Sequence, residues 1–439
     1  MERFSLVFKP GYDSAMTAKK KLLVILGSGS AMPVGMPSVQ DLDRCMKAWS
    51  EEWTSRIRPP NFFTALWNSI AAYYQSGNVS NAPVMNFEKV FGEMIALAHW
   101  MEPAPWGDTL RATACAGMKP PSIQFPMLTE SDRYGATVPI IDQLSNLLAR
   151  LAKYMRLKSR NLAASSEPAR QYKLLLDGLR ERFEVGMYNL NYDVSALAAW
   201  PDAYTGFGKT CQFEPANVHR RKEWGFIYHL HGSVHHSFEH QHGGPICWRN
   251  DLTKEETFFD DLDGRPTEKR SEGKAFPQTT LIAGGYKLDQ LLVEPFQSLH
   301  AALVRHVYQA DAILIGGYGF GDIHINRVLQ NRYGSTTMRL PIMILDFAHS
   351  KTDPMMFRAD AWSRGLSNTL TAPGDFFLEP AHPSPPYPPD LALRKSFEVS
   401  KQHRVALWYG GFTAAASRLD GILPWLAGGP DELLIPSST

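Results

Sequence analysis

Leu22-Leu-Val-Ile-Leu26 runs straight into Gly27-Ser-Gly-Ser-Ala-Met-Pro-Val-Gly-Met-Pro-Ser38, and this passage decides the fold. An unbroken aliphatic run reads as a strand buried on both faces of a parallel sheet. Glycines at its end permit a sharp turn and a close backbone approach, such as a pyrophosphate requires. Exposed N–H groups at the start of the next helix would bind the phosphate charge. Ser38 and Asp41 resemble a capping box there, with Asp in place of the usual Glu. Read alone, the loop fits a plain structural turn as well as a nucleotide site. It is not the dinucleotide fingerprint, because Met32 stands where the third glycine belongs.

Similar short runs recur at Glu184–Asn189, Phe226–His231, Thr279–Ala283, Ala312–Gly317, Pro341–Asp346 and Arg404–Tyr409. Helical patterns between some of them predict an α/β fold. The expected architecture is a Rossmann-like, mostly parallel sheet of six or seven strands. A single crossover needs far less chain than the stretch from 27 to 183, so a large helical insertion follows the first strand. Ile140, Ile141, Leu144, Leu147, Leu148, Leu151 and Met155 mark one apolar helix face. Ser166 caps a second helix with Pro168 in its first turn, and 61–76 and 86–101 read as further helices. The resulting division is 1–38 plus 183–350 for the sheet domain and 39–182 for the insertion. Residues 351–439 form a C-terminal extension with one more strand and a closing helix. The charged stretch 249–274 reads as an exposed loop, as do the seven prolines of 373–389.

The 439 residues allow two or three domains, and 44% hydrophobic content is enough for a large core. Lys plus Arg total 45 against 44 acidic residues, so no global charge points to nucleic acid. Four scattered cysteines without a CxxC argue against a disulfide scaffold and a four-cysteine zinc site. The N-terminus lacks the order of a secretion signal, and no apolar run approaches the ~18 residues of a membrane span. A cytoplasmic protein is the expectation.

Two polar clusters follow predicted strands: Asn189-Leu-Asn191-Tyr-Asp193 and His229-Leu-His231-Gly232. An amide, a carboxylate and an imidazole at a sheet edge can orient a water and take its proton, although strand capping explains either cluster alone. Six histidines lie between 229 and 242, but their spacing fits no zinc signature, so they read as loop residues and no metal is expected. After the strand at 312 comes Gly317-Tyr-Gly-Phe-Gly-Asp322-Ile-His324-Ile-Asn326, where the plain reading is a turn and a helix cap.

Taken jointly and in order, these pieces resemble the sirtuin-type NAD-binding domain. Gly27, Gly29, Gly35 and Pro37 match its glycine loop, with Ala31 in place of a serine. Asn191 and Asp193 match its Asn-x-Asp, and His231 and Gly232 its His-Gly. Gly317, Tyr318, Phe320, Asp322, His324, Ile325 and Asn326 match a pattern of the divergent bacterial branch, with Gly319 replacing a serine. Asn86-Phe-Glu-Lys-Val resembles a helical-insert motif of the same branch. The likeness spans 22–326 and leaves the C-terminal part uncovered. Missing CxxC pairs, and Ser38-Val-Gln where protein deacetylases carry Phe-Arg, bring the chain nearer to the sirtuin-type NADases of bacterial antiphage defence.

The resemblance implies NAD as substrate and no zinc. It implies Asn191, His231 and Asp193 as catalytic residues. It assigns NAD contacts to Gly27, Ser28, Gly29, Ser30, Ala31 and Pro37, and to Gly317, Tyr318, Gly319, Phe320, Asp322 and Asn326. It also implies a regulated effector that forms a homo-oligomer or works with a partner such as a HerA-type ATPase or a short Argonaute. Any nucleic acid would be met only through that partner. An NAD-dependent protein deacylase and a non-catalytic NAD- or ADP-ribose-binding subunit are the alternatives.

Overall fold

The computed structural model describes residues 19–57, 61–75, 85–101, 137–241, 243–260, 268–269, 275–276, 279–284, 287–334, 340–347, 361–370, 397–400 and 403–434. The proline-rich stretch 373–389, most of 261–274, His242 and Cys115 lie outside them. Apart from a two-residue antiparallel pair, Glu268–Lys269 with Ala275–Phe276, the strands in chain order are β1 (Lys21–Leu26), β2 (Glu184–Asn189), β3 (Phe226–His229), the pair β4 (His236–His240) and β5 (Gly243–Trp248), β6 (Ala312–Gly316), β7 (Ile342–Leu345), β8 (Phe397–Val399) and β9 (Val405–Trp408). Seven of them form one sheet in the order β8-β9-β7-β6-β1-β2-β3, parallel except for β8. The order turns back at β1: β2 and β3 lie on one side, β6, β7 and β9 on the other. Open α/β sheets bind ligands at such a switch point, beyond the strands' carboxyl ends.

Register puts those ends level. Leu26 lies opposite both Asn189 and Gly316, Asn189 opposite His229, and Gly316 opposite Leu345. The residues that follow β1, β2, β3 and β6 therefore emerge on one edge.

The strands are continuous in hydrophobicity because both faces are covered. Leu22, Val24 and Leu26 pack into one core and Leu23 and Ile25 into the other. The first core holds helices α1 (Val39–Ile57), α2 (Phe62–Gln75), α3 (Phe87–Met101), α4 (Thr137–Arg160) and α5 (Glu167–Arg182). The second holds α6 (Phe296–Gln309), α7 (Ile323–Gly334) and α8 (Ala361–Leu370). Helix α9 (Leu419–Leu426) closes the first core through Ile422, Trp425 and Leu426. All seven residues of the periodic face in α4 are buried, each side chain contributing about 1.5–3 kcal/mol. Ser166 Oγ accepts from the Ala169 N–H at 3.3 Å at the start of α5. At the start of α1, Ser38 N–H donates to Asp41 and Asp41 N–H to Ser38 Oγ, which completes the capping box.

Three expectations need correcting. Thr279–Ala283 does not join the sheet: Leu281 forms an isolated antiparallel bridge with Gly232, and Ile282 N–H donates to the His231 carbonyl at 2.8 Å. Its apolar residues are buried beside the segment leaving β3, so their burial is met without a place in the sheet. The described part of 249–274 is not a free loop either. Glu255 and Asp260 bond the buried Arg156 of α4, whose guanidinium lies 4.2 Å from the Phe258 ring. The histidines after 231 are not all loop residues. His236 is buried in β4 between Phe207, Trp248 and Phe296, and His235 stacks on Trp248 at 4.5 Å. Aromatic packing takes the place of the expected solvation for both. Among the described histidines of this stretch, His240 is the exposed one.

Candidate active site

A cleft of about 490 Å³ opens at the switch point, within the size range of small-ligand sites. The loops after β1, β2, β3 and β6 line it, and α1, α3 and α4 of the insertion add Leu42, Phe87, Glu88 and Met155. Of the residues predicted from sequence, Gly27, Ser28, Ala31, Pro37, Asn191, Asp193, His231, Tyr318, Gly319 and Asp322 face this cleft. Gly29, Ser30, Gly317, Phe320 and Asn326 are not among its lining residues and act on its shape.

The two glycine loops are built against each other. Gly27 N–H donates to the Gly316 carbonyl and Gly29 N–H to the Gly317 carbonyl. A Cβ on Gly27 would lie 2.6 Å from Gly317 O, and one on Gly29 2.9 Å from Gly317 Cα. Gly317 itself has φ +59°, and its Cβ would meet Ser30 N at 2.1 Å. The glycines are thus required for loop-to-loop contact, whatever binds beside them. The amides of Gly27, Gly29, Ser30 and Ala31 all donate to backbone carbonyls, and Asp41 already occupies the start of α1. The expected phosphate donors at these positions are therefore engaged within the chain.

Asn191 is buried, and its amide donates to Gly27 O at 3.0 Å and Ser30 Oγ at 3.1 Å. With both amide protons used, the group it can offer a ligand is its carbonyl oxygen. Asp193 accepts from the Ser195 N–H at 2.8 Å, and burial pushes its carboxyl above the usual range. Phe320, at φ +51°, and Asn326 hold the β6 loop: Asn326 donates to Phe320 O at 2.8 Å and accepts from Tyr318 Oη at 2.8 Å.

His231 is 3% exposed. Its Nε2 lies 3.1 Å from His324 Nε2 and 4.0 Å from Asp322 Oδ1. Burial first, and the Lys287 ammonium second, hold its imidazole well below the ordinary histidine range. Burial likewise lowers His324 to about 4. Lys287 Nζ pairs with Asp322 at 2.6 Å and with Glu88 of α3 at 3.1 Å. Burial opposes its charge, but the two carboxylates outweigh that and keep it protonated. At neutral pH the site holds two neutral imidazoles beside the Lys287–Asp322 pair, with Glu88, whose carboxyl burial pushes up, as the second partner of Lys287.

His231, Asp322 and His324 offer donor atoms within 4.8 Å of one another, a spacing a metal ion could use. Lys287 already sets a positive charge on that carboxylate. Sequence reasoning assigned no part to Lys287, which follows Gly284-Gly-Tyr with no local pattern to mark it. Glu88 stood only in the insert motif, and His324 only in the motif after β6.

No protein-family model and no curated protein matches the chain. Among solved structures it is similar to a mutant Sir2 homologue in complex with 2'-O-acetyl ADP ribose, at 12% identity and a TM-score of 0.32, over 80% of this chain and 91% of that one. A Sir2 homolog–NAD complex is similar at 12% identity and a TM-score of 0.32, over 75% and 80%. Overlap that loose adds nothing to the site, whose case rests on its own residues: a seven-stranded α/β sheet with a polar cleft at its switch point.

Proposed function

We propose that the chain hydrolyses NAD at the nicotinamide–ribose bond, giving nicotinamide and ADP-ribose. The supporting observation is that Asn191, Asp193 and a neutral His231 meet in one cleft with both glycine loops, in the order and strand context of the sirtuin-type motifs. Such a bond breaks through an oxocarbenium-like state, which electron-rich oxygens stabilise. The Asn191 carbonyl oxygen accepts a hydrogen bond from the attacking water. Water's hydroxyl joins the anomeric carbon, the glycosidic electron pair leaves with nicotinamide, and one proton is released. His231 takes that proton from the water, or first from a ribose hydroxyl. Asp193 orients the ribose or the carboxamide, and the β6 loop flanks the adenosine half. Unchecked cleavage would deplete a cell of NAD, so we further propose that assembly or a partner protein controls it.

The test is to add NAD to the purified chain, alone and with the products of neighbouring genes, and follow nicotinamide release. Cleavage that requires an acyl-lysine peptide would replace this reading with a deacylase. NAD binding without release in any combination would replace it with a binding subunit.

A further inference from the structure

Two facing Nε2 atoms 3.1 Å apart need one proton between them. With His231 as the proton acceptor, its own ring proton sits on Nδ1 and the lone pair on Nε2. His324 Nε2–H is then the donor of the pair. Other groups around it come from every neighbouring element: Asp322 before α7, Lys287 before α6, Glu88 from α3 beyond Lys287, and His300 of α6, whose ring centroid is 5.8 Å from that of His324. Asp322 is held by Lys287, and among the described residues His324 is the one whose ring nitrogen lies within hydrogen-bond distance of His231 Nε2.

We propose that His324 is a positioning residue for His231: its Nε2–H fixes the imidazole lone pair in the cleft and gives way to the substrate's hydroxyl. The inference rests on His231 being the proton acceptor. On transfer the substrate's O–H bond breaks, an N–H bond forms at His231 Nε2, and the resulting imidazolium faces the Asp322 carboxylate. Both histidines line the cleft, so the exchange needs side-chain motion only.

The experiment is the pH dependence of nicotinamide release for His324→Ala and His324→Gln in the full chain, with folding checked by thermal unfolding. His324→Ala is expected to lower kcat about tenfold to a hundredfold with little change in KM. A lone pair that loses its donor is more basic, so the acid limb of the profile moves to higher pH. His324→Gln restores an N–H donor and returns the limb toward the original. An unchanged profile in His324→Ala, a limb displaced equally in both variants, or an effect on KM alone overturns the proposal. Where His324→Ala fails to fold, His324→Phe, which keeps a ring but has no N–H, carries the same comparison with His324→Gln. His231→Ala separates the two readings. Full activity there removes the base itself, whereas a dead His231→Ala beside a normal His324→Ala removes only the positioning role.

Discussion

At the level of single residues, Asn191 and His231 sit in the same cleft but are held in different ways, and their substitutions should separate. His231→Ala removes the base and leaves the glycine loops untouched. It should cut nicotinamide release by about 10²–10⁴-fold, with NAD binding by calorimetry largely preserved. Asn191→Ala should lose similar activity but also weaken binding, because its amide ties Gly27 O and Ser30 Oγ together. Equal binding in the two variants would contradict that double role. The pH dependence follows from the same burial. Activity needs a bare Nε2, so it rises as pH climbs through the His231 value, which lies well below 6.5. The wild-type acid limb should therefore fall below pH 6.5 in a profile of kcat/KM, and a limb at or above that value would show a solvated imidazole.

The elements show what a sequence can and cannot convey. β1 and the face of α4 were legible because each is a local period of apolar residues, and so was the Ser38–Asp41 cap, whose partners stand three apart. Thr279–Ala283 carries the same apolar signal as a sheet strand, yet burial against the chain after β3 satisfies it without a ladder. Asn191, Asp193 and His231 were legible by type and by their place after strands. Lys287 was not, since only the tertiary approach of α3 and the β6 loop gives its charge a task. The glycine loops are the mixed case: the glycines were visible, but their reason lies 290 residues away. Gly29→Ala tests that reason. Its Cβ would lie 2.9 Å from Gly317 Cα, so the two loops must part. The ligand-free protein should then lose about 1–3 kcal/mol of stability, seen as a lower midpoint in thermal unfolding without NAD. A midpoint unchanged without NAD, and lowered only in its presence, would return these glycines to ligand contact alone.

Across the whole molecule, two ionic clusters bind the helical insertion to the sheet side of the cleft. One is Glu88–Lys287–Asp322 at the cleft itself. The other is Arg156, 1% exposed, which donates to Glu255 at 2.7 Å and to Asp260 at 2.9 Å. Arg156 follows Met155, which lines the cleft, so this cluster also fixes a wall of the site. Taking a guanidinium and a carboxylate out of water costs several kcal/mol, and their attraction offsets that only while both are present. Arg156→Ala leaves the Asp260 carboxylate buried without its cation, and its pKa, already raised by burial, rises further. The expected loss is about 3–5 kcal/mol, with a higher KM as the α4 wall loosens. Replacing both charges, as in Arg156→Met with Asp260→Leu, removes the stranded carboxylate and should recover much of that stability without restoring the polar link. Calorimetric midpoints for the single and double variants decide the matter. If the single variant melts where the wild type does, Arg156 is not holding the insertion, and the cleft wall must owe its place to the apolar face of α4 alone.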